Sequence, residues 1–181
     1  MRVITGSARG RKLKALDGEA MRPTGDRVKE AIFSIIQFEL EGRRMLDLFA
    51  GSGQMGIEAL SRGAAFCTFV EKEKEAFDLI KENLTHTKLE DRALVLNSDA
   101  LAFLQMTDSV FDIIFIDPPY DSDLIDKALP LAAEKLAAGG IIICETKFRS
   151  DPPEAGQGIK LYRSYKYGKT SVFTYRHDQT D

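Results

Sequence analysis

From Met45 onward the chain repeats one pattern: a short, nearly continuous apolar run, then a segment with helical spacing. The runs are 45–49, 66–70, 93–96, 111–116 and 141–144, and the helical segments fall at about 54–62, 73–85, 99–105 and 122–137. Strands that read as apolar on both faces, each followed by a helix, specify a parallel sheet covered on both sides. The spacing has Gly63 closing the first of these helices and Gly139-Gly140 the last. After residue 150 the pattern changes. Residues 160–166 and 170–176 are β-rich and flank Tyr167-Gly168-Lys169, which reads as a closing antiparallel hairpin.

The segment before Met45 is different in kind. Residues 3–5 and 13–16, separated by a glycine-bounded loop, suggest a small hairpin with a thin core. A helix is expected from Asp26, a good N-cap, with Val28, Ala31, Ile32, Ile35 and Ile36 as its apolar stripe and Gly42 as its stop. This divides the chain into an extension over 1–42 and an α/β domain over 43–181. Its 181 residues are enough for one such domain with a sizeable core.

Charge narrows the function. The net charge is −3 and the isoelectric point near 5.5, so bulk charge alone does not hold this chain to a polyanion. Yet residues 1–14 contain Arg2, Arg9, Arg11, Lys12 and Lys14 and no acid, with Arg22, Arg27 and Lys29 following. That concentration is expected to be either a solvated basic hairpin or an arm that contacts phosphates. No run is long enough to span a membrane, and the N-terminus is basic rather than apolar, so a cytoplasmic location is expected. Cys67 and Cys144 each sit in an apolar run and read as buried free thiols, and with two histidines no metal site is expected.

Two groups of residues carry chemistry. The first is Asp47-Leu48-Phe49-Ala50-Gly51-Ser52-Gly53, which passes from a strand end through a glycine turn into a helix, with Gly56 completing G-x-G-x-x-G. Glu71, followed by Lys72, ends the next strand, where a carboxylate can accept both ribose hydroxyls of an adenosine. A nucleoside cofactor is implied, and charge suggests which. S-adenosylmethionine carries a sulfonium and no pyrophosphate, so its pocket tolerates acids such as Asp47 and Asp99. Asp99, next to Ala100, suits an adenine amino group, although Asp99 alone could equally be a helix N-cap.

The second group is Asp117-Pro118-Pro119-Tyr120, directly after a buried strand. The carboxyl ends of parallel strands face the ligand crevice, so this tetrapeptide should face the cofactor turn. Neither proline has an N–H, which leaves local carbonyls without internal donors and free to act as acceptors. An exocyclic amine is a poor nucleophile because its lone pair is delocalised. The Asp117 carboxylate and Pro118 carbonyl could grip its two N–H bonds, and Tyr120 could stack on an unstacked base.

These motifs together resemble the RsmD-type guanine-N2 methyltransferases of bacterial small-subunit ribosomal RNA. The resemblance runs through Arg2-Val3-Ile4-Thr5-Gly6 with Arg9-Gly10-Arg11-Lys12-Leu13, Arg22-Pro23-Thr24, the residues 26–33, the glycine turn with 56–64, Asp117-Pro118-Pro119-Tyr120, and Tyr167-Gly168-Lys169-Thr170. It implies a class I methyltransferase fold, a Rossmann-like sheet of seven mostly parallel strands with an antiparallel C-terminal hairpin. It implies S-adenosyl-L-methionine as cofactor, S-adenosyl-L-homocysteine as product, and 16S rRNA within an assembling small ribosomal subunit as partner; apart from the resemblance, a monomer is expected. It also places Arg22 and Thr24 beside the active site and gives Arg2, Arg9, Arg11, Lys12, Arg27 and Tyr167 nucleic-acid contacts. Gln54-Met55 departs from the family's smaller or apolar residues. The same tetrapeptide also suits adenine N6 in DNA or a protein glutamine amide. A non-catalytic assembly factor that keeps an adenosine pocket is the alternative from another class, and an NAD-dependent oxidoreductase is a distant third.

Overall fold

A computed structural model describes residues 1–16, 24–119, 123–147 and 151–178. Seven strands form one sheet: β1 (Arg44–Asp47), β2 (Phe66–Glu71), β3 (Ala93–Asn97), β4 (Phe111–Ile116), β5 (Leu136–Lys147), β6 (Ile159–Tyr167) and β7 (Thr170–His177). Their order is β3-β2-β1-β4-β5-β7-β6, with β1 to β5 parallel and β7 antiparallel to both its neighbours. The chain begins at the centre, winds outward to β3, then restarts beside β1 at β4. That reversal opens a crevice at the carboxyl ends of β1 and β4, where ligands bind in sheets of this kind.

Among the described residues, five α-helices cover the sheet: α1 (Asp26–Ile35), α2 (Gln54–Ser61), α3 (Lys74–Thr87), α4 (Ala100–Met106) and α5 (Leu124–Ala133). Strand alternation splits the core in two. Met45, Phe69, Ile113, Phe115 and Ile143 pack toward α1, α2 and α3, whereas Leu46, Val70, Ile114, Ile116 and Ile142 pack toward α4 and α5. Gly56 lets α2 lie against β2, since a Cβ there would stand 2.2 Å from the Phe69 ring. Among the described residues, no helix is long and apolar enough to cross a membrane.

Several sequence expectations change. The N-terminal hairpin reduces to a single bridge, Arg2 with Lys12, and its core is not thin, because Val3, Ala8 and Leu13 join the main core. Helix α1 begins after Gly25 rather than on an Asp26 cap and stops at Ile35, well short of Gly42. Past Ile35 the chain turns, and Glu39 is drawn aside to receive two bonds from Arg176, at 2.7 and 2.9 Å. α5 ends at Ala133 instead of 137, because Leu136 already pairs with Phe111 as β5 begins. Gly139-Gly140 therefore lies inside an irregular stretch of β5, between the Leu136 and Ile141 pairs, where a Cβ on Gly140 would meet the Asp112 carbonyl at 2.7 Å. β3 is an edge strand and not buried on both faces, with Leu94 exposed.

Candidate active site

A cavity of about 650 Å³ lies over the carboxyl ends of β1, β2 and β4. Its wall begins with Asp47 at the end of β1 and continues through Phe49, Ala50, Gly51 and Ser52. Gly53, expected in the same wall, serves instead as the hinge into α2, at φ +76°. Glu71 and Lys72 from the end of β2, Asp99 and Ala100 beyond β3, and Asp117, Pro118 and Pro119 beyond β4 complete it. Sequence positions spread over 70 residues thus converge because four strands end on one side of the sheet. Tyr120 lies outside the described residues, as does Arg22.

The turn is held by its own acids. Asp47 Oδ2 accepts the Gly56 N–H at 3.0 Å, and Glu71 accepts the Gly51 N–H at 2.8 Å and the Glu73 N–H at 2.9 Å. Asn97 donates to the Glu71 and Lys72 carbonyls, fixing the end of β2 against β3. These contacts decide what the turn can hold. A pyrophosphate needs free amide donors at such a turn, whereas here carboxylates already occupy those of Gly51 and Gly56. Asp99 is the helix N-cap its sequence allowed, its Oδ1 accepting from the Ala102 N–H at 3.0 Å, and it also lines the cavity.

Burial makes these acids unusual. Asp47 is pushed up to about 7 chiefly by desolvation, with the Glu71 charge adding and the Gly56 N–H opposing. Asp117 is held well above the usual carboxylate range by burial first, then by the charges of Glu145 and Asp47. Glu145 had not been singled out in the sequence. It ends the apolar part of β5, is only 2% exposed, and is pushed up to about 7 by burial while the Thr24 hydroxyl donates to it at 3.0 Å. One step past the Ile116–Cys144 pair, it is the neighbour of Asp117 across the sheet. Acids held neutral by burial can ionise beside a positively charged group.

Thr24 lines the cavity and is buried. The basic arm divides. Arg9, Lys12 and Arg27 are exposed, while Arg2 pairs with Asp26 at 3.3 Å and Arg11 donates to the His86 carbonyl. Lys29, counted in the sequence with the basic surface, is instead fully buried. It donates to the Arg2 carbonyl at 2.6 Å and faces Glu58 at 3.6 Å. Glu58 in turn accepts the Ile4 and Thr5 N–H groups and Arg62. A polar knot missed in the sequence thus ties the arm to α2. Gln54, also missed as a site residue, lines the cavity with its Oε1 buried and unpartnered. Tyr167 lies away from the cavity at the end of β6, half-buried.

The family described as conserved hypothetical protein 95 matches residues 1–176. A Haemophilus influenzae protein named ribosomal RNA small subunit methyltransferase D is 38% identical over 92% of this chain and 93% of its own. A Bacillus subtilis protein provisionally named an rRNA methyltransferase is 41% identical over 97% of this chain and 98% of its own. Among solved structures, an Escherichia coli protein provisionally described as a methyltransferase superposes with a TM-score of 0.89 at 34% identity, covering 98% of each chain.

Proposed function

Because the chain belongs to the conserved hypothetical protein 95 family, the RsmD-type family, we propose that it is an rRNA methyltransferase that methylates the exocyclic N2 of a guanine in 16S rRNA. S-adenosylmethionine is the donor in this reading, and the substrate is presented in an assembling small subunit. The observation that carries it is the placement of Asp117-Pro118-Pro119 on the wall of a cavity whose other acids, Asp47, Glu71 and Asp99, suit a cationic nucleoside. The glycine turn with its amides already bonded to Asp47 and Glu71 favours that cofactor over a dinucleotide.

In this reading Glu71 receives the ribose hydroxyls, Asp99 the adenine amino group, and Asp47 with the 49–53 turn the remainder of the cofactor. S-adenosylmethionine, when bound, supplies an electrophilic methyl group on a positively charged sulfur. The protein's task is then to make a delocalised amine nucleophilic. An Asp117 carboxyl oxygen and the Pro118 carbonyl accept its two N–H bonds, which favours a pyramidal nitrogen and stabilises the positive charge that develops there. The alkylated nitrogen must shed a proton, and Asp117, in the ionised form that a cationic cofactor favours, is placed to accept it. Tyr120 is assigned the face of the base. Exposed Arg9, Lys12 and Arg27 are assigned to phosphates.

The experiment supplies radiolabelled S-adenosylmethionine with unmethylated small ribosomal subunits, naked rRNA, duplex DNA and a protein extract in parallel. Label in small-subunit rRNA supports the reading. Label in DNA or protein moves the same site to adenine N6 or a glutamine amide, and cofactor binding with no label anywhere favours an assembly factor.

A further inference from the structure

The C-terminal hairpin brings a second set of chemically matched residues to the edge of the sheet where Asp117 stands. β6 runs antiparallel to β7, which runs antiparallel to β5, so β6 ends on the same side as β4 and β5. Strand alternation puts Arg163, Tyr165 and Tyr167 on one face of β6. The pairs Glu145–Val172 and Val172–Tyr165 extend the row that holds Asp117 and Glu145 across to Tyr165. At the usual spacing between strands, Tyr165 stands about 14 Å from Asp117 on the same face. The rings of Tyr165 and Tyr167 are 6.3 Å apart between centres and within 8° of parallel. Both pack partly against the core and are otherwise open to solvent.

The charge around them has one sign. Between Glu154 and Asp178 the sequence contains Lys160, Arg163, Lys166, Lys169 and Arg176 and no acid. Lys160 pairs with Asp178 and Arg176 with Glu39. Arg163 is exposed, with its guanidinium 5.2 Å from the centre of the Tyr162 ring, and Lys169 is exposed at the hairpin tip. Parallel aromatic rings flanked by cations are the arrangement that holds unstacked bases without reading their identity.

We propose that Tyr165 and Tyr167 form a stacking shelf for bases of the single-stranded RNA flanking the methylated guanine, with Arg163 and Lys169 neutralising the adjoining phosphates. The inference rests on the rRNA reading above. The separation from Asp117 is one that a few nucleotides of extended strand can bridge. The shelf thereby adds substrate affinity outside the cavity, in a protein whose overall charge is negative.

The test compares two double variants of the full chain, Tyr165→Leu with Tyr167→Leu, and Tyr165→Phe with Tyr167→Phe. Both keep apolar bulk against the core, but only the second keeps aromatic faces. The readouts are KM for unmethylated small subunits, affinity for a short fluorescein-labelled single-stranded RNA, and calorimetric affinity for S-adenosylhomocysteine. The shelf predicts that the Leu pair weakens both RNA readouts roughly ten- to a hundredfold, that the Phe pair stays near wild type, and that S-adenosylhomocysteine binds all three proteins alike. Equal RNA affinity of the Leu pair and wild type overturns it, as does a loss in the Phe pair equal to that in the Leu pair. If wild type methylates no RNA, the functional reading fails, and the fluorescent RNA comparison still decides the shelf.

Discussion

Asp117 owes its character to residues far from it in sequence. Burial and the nearby Glu145 and Asp47 charges raise it, and the prolines after it remove competing donors. Asp117→Asn keeps the shape but removes the carboxylate proposed to grip the amine. Its kcat should fall by about 10²–10³, the cost of losing one well-placed electrostatic contact, with S-adenosylhomocysteine binding retained by calorimetry. Gly6 carries a structural prediction. It sits at φ +87°, and a Cβ would stand 1.8 Å from the Ser61 carbonyl oxygen. Gly6→Ala should therefore lower stability in urea by on the order of 2–4 kcal/mol. Asp47, Glu71 and the Asp117 segment were legible in the sequence because a strand end and a turn are local features. Glu145 was not, since it gains meaning only from the register that sets it beside Asp117.

At the scale of elements, the alternation of apolar runs and helices was legible throughout, and the ends of elements were not. α1 ends at Ile35, well before Gly42, and Gly139-Gly140 serves a strand irregularity rather than a helix stop. The N-terminal arm shows the same limit. Its basic residues suggested a solvated surface, yet Lys29 is a buried anchor whose partners, Glu58 and the Arg2 carbonyl, come from other elements. Replacing it with Met leaves the Arg2 carbonyl without this donor and Glu58 with Arg62 as its remaining side-chain cation. Removing one partner of a buried pair is strongly destabilising, so Lys29→Met should cost about 3 kcal/mol in urea unfolding. It should also speed proteolysis within residues 1–16, the segment the knot holds down.

At the scale of the whole molecule, the buried acids couple stability to pH. Asp47 and Glu145 are held near 7, above ordinary values of 3.8 and 4.5. Between those values and about 7 the folded chain keeps protons that the unfolded chain has released. Stability should therefore fall as pH rises from about 4 to about 7. Asp47 alone can contribute on the order of 4 kcal/mol to that fall, and Asp47→Asn should flatten the slope of Tm against pH. A cationic ligand favours the ionised acids. S-adenosylmethionine should accordingly tighten more across the same interval than S-adenosylhomocysteine, whose sulfur is uncharged.

In the proposed reaction an acid-lined cavity and the Asp117-Pro118-Pro119 acceptors together methylate an exocyclic amine of rRNA. The most direct measurement is nucleoside analysis of small-subunit rRNA labelled by the wild-type protein and by Asp117→Ala. All label should migrate as N2-methylguanosine, and the variant should transfer little or none. Label on a ring nitrogen, on a ribose oxygen or on a carbon, or full transfer by the variant, would contradict it.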